Sequence, residues 1–564
     1  MLFTVVLISM AVLVAGYIFY GRRLSKLVRL DDTRPTPACS INDGVDYVPA
    51  RAPLLLGQHF SAIAAAGPIV GPILAGIWFG WGPAILWIVL GAVFIGGAHD
   101  FLSLIASVRH KGESIGELAK SLMSKNTQKL FLVFVWVALL YVIIAFADIT
   151  AQSFRVVSNE GAYGPAVLFC SFLYLLLGVG MGLVLKKTKL PLWVATVISI
   201  PLLFGMILLG TRLPQSLTAF LLRVPVKGWE VGLLAYCFIA SVIPVWILLQ
   251  PRGYLGGWFL YLTMAVALGG ALFGGYAVQY PAFHLDGLKS LANGKPLFPI
   301  LFITIACGAC SGFHGIVSTG TTAKQIRRES DTRPVGYGAM ILESLVAVLA
   351  LGTLMMLSPN DAAVKSDPNL IYAGGLARSM GKIGISPGFA LTFALLAFST
   401  FVYDTLDVAT RLARYIFQEL TGWKSRAGMF AATLASLMLP FLFLIMGREK
   451  AYLDAWPIFG TSNQLLACLT LLILSVWLLR SGKNTLYAVL PMVFMAAFSL
   501  WSLVLQVIPF VLSIPKALSG STLKPDIWIS GICGLVLLVL AVWLMAEAVQ
   551  VLGSKKQAAD GRRQ

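Results

Sequence analysis

Charge is what this chain has least of. Only 12% of its 564 residues are Asp, Glu, Lys or Arg, about half the ~25% of a soluble globular chain, which excludes a large solvated domain. The longest polar stretch, roughly 22–53, is too short for one. Cysteine is sparse as well: seven residues, at 39, 170, 237, 307, 310, 468 and 533. An odd number, mostly in apolar segments, is not a disulfide framework. Cys307 and Cys310 form a CxxC, but no second pair accompanies it, and it sits among small residues of the kind that pack helices closely. No metal centre is expected from it. A GxxxxGK[ST] loop is missing, which argues against an ATP-driven pump. No Ser–His–Asp arrangement can be defended, so no enzyme is expected. Nor is a cofactor, beyond a coupling ion, H⁺ or Na⁺.

What remains is apolar. Hydrophobic residues make up 58% of the chain, in runs of about 18 or more, each long enough to cross a bilayer. Backbone inside lipid must pair with itself, so helices are expected throughout. About fifteen transmembrane helices are predicted, near 2–20, 54–78, 81–107, 129–153, 163–185, 190–210, 229–249, 255–278, 297–322, 335–357, 386–410, 427–447, 458–480, 485–509 and 528–552. The segments 358–386 and 509–526 read as loops on the outside, with 374–383 as a short interfacial helix. The chain divides into a first helix and cytoplasmic linker (1–53), a transporter core (54–480), and C-terminal helices with a basic tail (481–564).

The net charge of +18 does not point to nucleic acid, because the positive residues lie in short loops between apolar runs. They are topology signals. Met1 to Tyr20 has no basic residue before it and is followed by Arg22, Arg23, Lys26 and Arg29. That predicts a retained first helix with its N-terminus outside. Loops 107–129, 186–189, 321–333 and 411–426, and the tail with Lys555, Lys556, Arg562 and Arg563, then fall in the cytoplasm. The bilayer is the expected partner, with a small-molecule substrate.

Several of these segments are poor anchors. Helices that move a solute carry breaks and polar groups at bilayer depth. The second segment holds Gln58 and His59, then two Gly-Pro pairs, Gly67-Pro68 and Gly71-Pro72. Proline removes a donor and glycine frees the backbone; an unwound stretch offers carbonyls to cations and a helix N-terminus to anions. A plain proline kink is the competing reading. The third segment carries His99-Asp100, either a proton relay or a structural hydrogen bond that orients two helices.

The ninth segment runs from Cys307 through Ser311, His314, Ser318 and Thr319 with four glycines between Gly308 and Gly320. That composition suits an unwound binding segment, or else a packing face. In the eleventh, Asp404 and Asp407 share a helix face, with Ser399, Thr400 and Thr405 nearby. The oxygens of Ser399, Thr400 and Asp404 suit a coupling ion, while Asp407 is expected to pair with Arg411. Asp148 and Glu343 are acids in apolar helices that are either coupling sites or structural partners.

Taken together, Gly57-Gln58-His59-Phe60 with its Gly-Pro pairs, Ala98-His99-Asp100 and Ser107-Val108-Arg109-His110-Lys111-Gly112 resemble the carbon starvation protein A (CstA) family. So do Pro244-Val245-Trp246, Leu249-Gln250-Pro251-Arg252, Ser311-Gly312-Phe313-His314 and Phe459-Gly460-Thr461-Ser462-Asn463-Gln464-Leu465-Leu466. The similarity runs from about Gly57 to the thirteenth helix. Where the family often has His, this chain has Gln58, and it is shorter than the longest members. The resemblance implies a bacterial cytoplasmic-membrane transporter linked to carbon starvation, with peptides or pyruvate as substrates. It also implies an amino acid–polyamine–cation type core of five plus five inverted helices, the second repeat opening at the seventh or the ninth helix.

Two functions follow. The first is ion-coupled symport of a peptide or small carboxylate. The substrate would meet Gln58, His59, Gly67, Pro68, Gly71, Pro72, Ser311, His314, Ser318 and Thr319. The ion would be carried by His99 and Asp100 or by Ser399, Thr400 and Asp404. The second is a membrane haem, redox or sensor protein using His59, His99 and His314.

Overall fold

The computed structural model describes residues 1–43, 47–158, 161–188, 190–244, 247–284, 296–423, 425–450, 452–518 and 525–560. Val245, Trp246, Arg562 and Arg563, named above, lie outside the described residues.

The chain is an all-α integral membrane protein. Among the described residues, eleven helices are long and apolar enough to cross a membrane, or up to twelve with one bent pair counted as a single span. The helices that build the centre are α1 (Ala52–Ile63), α2 (Gly67–Phe79), α3 (Trp81–Arg109), α4 (Lys125–Ser153), α5 (Val226–Val242), α6 (Leu249–Phe273), α7 (Leu297–Thr304), α8 (Gly312–Gly320), α9 (Glu329–Met355), α10 (Pro387–Thr421) and α11 (Tyr452–Arg480). Of these, α3, α4, α9, α10 and α11 are buried along most of their length, whereas helices such as Leu192–Gly210 turn Trp193, Val197, Ile198 and Leu209 outward. That outward apolar face is what lipid as solvent demands.

Among the described residues two spans are broken. The first leaves helical geometry at Ala64 (φ −81°, ψ 81°) and restarts at Gly67, with Pro68 in its first turn. There the missing N–H costs nothing, and α1 and α2 meet at 49°. The second is the predicted 297–322 span, which is two short helices with residues 305–311 between them. The breaks touch. A Cβ added at Gly67 would stand 2.4 Å from Cys307 Sγ, and one at Gly71 2.3 Å from the Thr304 carbonyl oxygen. Only glycine allows this approach.

Helix ends leave orphan carbonyls that need partners in a dry interior. At the end of α7 side chains supply them. Trp87 Nε1 donates to Ile305 O at 3.0 Å, Trp456 Nε1 to Thr304 O at 3.5 Å, and Gln464 Nε2 to Phe302 O. Asn463 holds the start of α8: its Oδ1 accepts from Phe313 N at 2.9 Å, and its Nδ2 donates to Ser311 Oγ at 3.0 Å. The conspicuous Phe459–Leu466 motif is thus the clasp of the second break.

Three expectations are corrected. The helix Leu486–Leu518 continues through Pro509 and Pro515, so 509–518 is not loop; at this depth one lost hydrogen bond is cheaper than an unpaired backbone. Within the segment 374–383, residues 374–381 belong to a longer helix, Pro368–Gly381, whose Ile371, Tyr372 and Leu376 are buried rather than interfacial. The expected loop 411–426 is helix as far as Thr421, because α10 has 35 residues and at ~1.5 Å each outruns the ~30 Å hydrocarbon core.

Candidate functional site

A chain of four ionisable groups lies at the heart of the bundle. His99 and Asp100 come from α3, His314 from α8 and Glu343 from α9. All four are fully buried. His99 Nδ1 is 2.7 Å from Asp100 Oδ1, and His314 Nδ1 is 2.8 Å from Asp100 Oδ2. On its other side His314 Nε2 is 3.1 Å from Glu343 Oε2. Among the described residues no Lys or Arg forms an ion pair with any of them.

Proton counting follows from this geometry. A carboxylate only accepts hydrogen bonds, so with Asp100 ionised both histidines carry a proton on Nδ1. The His314–Glu343 contact then needs one more proton, on Nε2 or on the carboxyl, because two lone pairs at that distance repel. The His99–Asp100 and Asp100–His314 links are hydrogen bonds, and His314 and Glu343 lie within ion-pair distance. His314 therefore lies in this line rather than on the cavity wall, and Glu343, which the sequence did not rank, is its far end.

A cavity opens beside this line. It is bounded by the second half of α1, the end of α8 and the middle of α10, and by Gln58, His59, Ser61, Thr321, Thr322, Gln325, Asp404, Arg411 and Tyr415. Ala50 N donating to Gln325 O at 2.9 Å ties the two strands of chain at its rim. His59 Nδ1 meets Thr322 Oγ1 at 2.9 Å, which fixes the ring on the cavity wall.

At the inner end of the cavity lies an ion cluster. Arg252, at the start of α6 and wholly buried, reaches two acids of α10. Its Nε and Nη2 are each 2.8 Å from Asp404 Oδ1, and Nη2 is 2.7 Å from Asp407 Oδ2. Tyr236 OH donates to Asp407 Oδ2 at 2.8 Å, and Ser61 Oγ to Asp404 Oδ2 at 3.1 Å. The expected Asp407–Arg411 pair is overturned. Arg411 instead donates to Ala240 O and Ile243 O, at 2.6 and 2.8 Å, where the end of α5 leaves carbonyls open. Asp407 is left to the buried guanidinium of Arg252, which it approaches together with Asp404 from successive positions on one face of α10.

The other predicted residues are dispersed. Gly67, Pro68, Gly71 and Pro72 are buried at the contact between the breaks, away from the cavity wall. The carbonyls of Phe302, Thr304 and Ile305 at the end of α7 are taken by Gln464, Trp456 and Trp87. Ser311 belongs to the Asn463 clasp. Thr319 Oγ1 accepts from Ile115 N at 3.2 Å, an interhelical tie. Ser318, Ser399 and Thr400 are buried with no hydrogen-bond partner among the described residues, so the hydroxyls of Ser399 and Thr400 do not join Asp404. Asp148 accepts from Tyr452 N at 2.6 Å and so caps α11, a structural duty.

Sequence reasoning missed Arg252 as a functional residue. The signal was present, since Arg252 opens a long apolar run where a solvated loop has no reason to carry it, but its partners Asp404 and Asp407 lie 152 and 155 positions on.

The family model for carbon starvation protein CstA matches residues 1–371 and 356–502. The peptide transporter CstA of Helicobacter pylori is 32% identical, aligning 88% of this chain with 80% of its own. That of Bacillus subtilis is 31% identical over 86% of each. The pyruvate/proton symporter BtsT of Escherichia coli is 30% identical over 89% of this chain and 81% of its own. A solved manganese transporter from Eremococcus coleocola overlays 91% of this chain and 99% of its own, with 14% identity and a TM-score of 0.46, too loose a likeness to carry weight. The relatives favour transport over the haem or sensor reading.

Proposed function

The chain belongs to the carbon starvation protein CstA family, and from that premise we propose that it is a proton-coupled symporter importing a carboxylate-bearing nutrient, a short peptide or pyruvate. It acts as a transporter and not as an enzyme, in a bacterial cytoplasmic membrane, with the N-terminus outside and the C-terminus inside. In that orientation the cavity opens to the cytoplasm. Three shorter helical stretches, Val226–Val242, the α7–α8 pair and Gly531–Ala546, complete about fifteen crossings. The contact of the two breaks supports a five-plus-five inverted repeat whose halves open at α1 and at α7, with alternating access about their interface.

The observation that carries the reading is the His99–Asp100–His314–Glu343 line. It is buried, without a neighbouring Lys or Arg ion pair among the described residues, and its last link requires a proton. Protons fit such nitrogen-containing links better than Na⁺, which prefers oxygen. His99 and Asp100 thus carry the coupling, while Asp404 stands on the substrate side.

Uptake of labelled pyruvate and of labelled dialanine into proteoliposomes tests this, with an imposed proton gradient and then a sodium gradient. Accumulation under the proton gradient alone is expected. Accumulation under sodium alone would overturn the coupling ion, and none under either would overturn symport of these solutes.

A further inference from the structure

Arg411 is an unusual cation. It lies on the cavity wall, 7% exposed, at membrane depth or just beyond it. Its Nη2 is spent on the carbonyls of Ala240 and Ile243, but its Nε has no hydrogen-bond partner among the described residues. None of the described carboxylates lies within ion-pair distance of it. Buried charges without a paired opposite are costly, so this arrangement asks for an anion from outside the chain.

The same wall carries the opposite sign two turns away. Asp404 and Arg411 are seven residues apart on α10, which places them on one face of the helix and about 10 Å apart along its axis. Both line the cavity. Asp404 and Asp407 share a single guanidinium, that of Arg252, so with both acids ionised the inner cluster keeps one negative charge in excess. The cavity is therefore bipolar, negative at Asp404 and positive at Arg411.

We infer that Arg411 is the receptor for the substrate's carboxylate and that Asp404, with the Ser61 hydroxyl beside it, receives a cationic amine at the other end. This rests on the transport reading above and narrows it. An extended residue covers about 3.5 Å, so a dipeptide separates its ammonium and carboxylate by about 7 Å, and charge-assisted contacts of about 2.8 Å at each end bridge the remainder. Pyruvate has a carboxylate but no ammonium, and reaches only Arg411. The site is thus built for a zwitterion of two residues, with a lone carboxylate as a weaker ligand.

The test is calorimetric binding to the purified full-length protein in detergent, which needs no transport. The probes are dialanine, N-acetyl-dialanine, dialanine amide and pyruvate. Dialanine is expected to bind at least tenfold more tightly than each of the other three. In Arg411→Gln the affinity for dialanine is expected to fall to that of the amide. In Asp404→Asn the gap between dialanine and its acetylated form is expected to close. Since Arg411 also caps α5 and its variant risks misfolding, the four ligands on the wild-type protein decide by themselves. Equal affinity for dialanine, its amide and its acetylated form overturns the inference, as does no binding of dialanine at all. Binding as described without gradient-driven uptake would leave the inference standing and overturn the symport reading instead.

Discussion

Glu343 lies 3.1 Å from the Nε2 of His314, and neither group is reached by solvent. The other nitrogen of that ring is 2.8 Å from Asp100. One imidazole therefore joins carboxylates on two different helices, α3 and α9, through a third, α8, which follows directly on the second break. On the proton-coupled reading proposed above, a proton moving along this line would change the force between three helices at the place where the spans are already interrupted.

Glu343→Gln separates coupling from translocation. Glutamine keeps the shape and still donates a hydrogen bond to His314 Nε2, but it cannot take up or release a proton. Proton-driven accumulation is expected to fall at least tenfold, while exchange of labelled for unlabelled substrate at equal concentrations stays within about threefold of wild type. Equal loss of both would mean that Glu343 is needed for folding or binding rather than for the proton.

The Arg252 cluster predicts a stability pattern. Replacing Arg252 by Met strands Asp404 and Asp407 in an apolar interior, where breaking a buried ion pair costs about 3–5 kcal/mol. The Arg252→Met, Asp404→Asn, Asp407→Asn triple variant removes the stranded charges and is expected to recover at least half of that loss. Thermal unfolding in detergent gives the ordering. A triple variant no more stable than the single one would show that Arg252 matters by packing and not by charge. Transport is expected to be lost in both, since Asp404 is on the cavity wall.

Much of this was legible in the chain. The class came from scarce charge and repeated apolar runs, because lipid leaves the backbone no choice but helices. The break at Gly67-Pro68 was visible because proline and glycine act locally. The His99–Asp100 contact was adjacent in sequence and stands as expected at 2.7 Å. What failed was pairing over distance. Asp407 was given to Arg411 because the two are one helical turn apart, whereas its partner is Arg252, on another helix. Pairing needs tertiary placement, and a helical period supplies only neighbours on the same helix. Glu343 remained unranked for the same reason, its partner being 29 residues away across a loop. Asn463 looked like motif alone, and its work at Ser311 and Phe313 becomes visible only when α11 is laid against the second break.

The two glycines at the meeting of the breaks predict different responses to the same change. At Gly67 an added methyl would meet the side chain of Cys307, 2.4 Å from Sγ and 2.6 Å from Cβ. At Gly71 it would meet backbone, 2.3 Å from the Thr304 carbonyl oxygen and 3.4 Å from Ile305 Cα. A side chain can be removed and a backbone cannot. Gly67→Ala is therefore expected to abolish uptake and to regain a substantial part of it when combined with Cys307→Gly, which clears the obstructing atoms. Gly71→Ala is expected to abolish uptake with no recovery from Cys307→Gly, because α2 and the end of α7 must then move apart. Overpacking of this kind costs about 1–3 kcal/mol, small enough for both variants to insert and be purified, so uptake by protein of verified amount is the proper readout. Wild-type uptake in Gly71→Ala would mean that the breaks do not stay in contact during the transport cycle, and their role as a shared pivot would have to be given up.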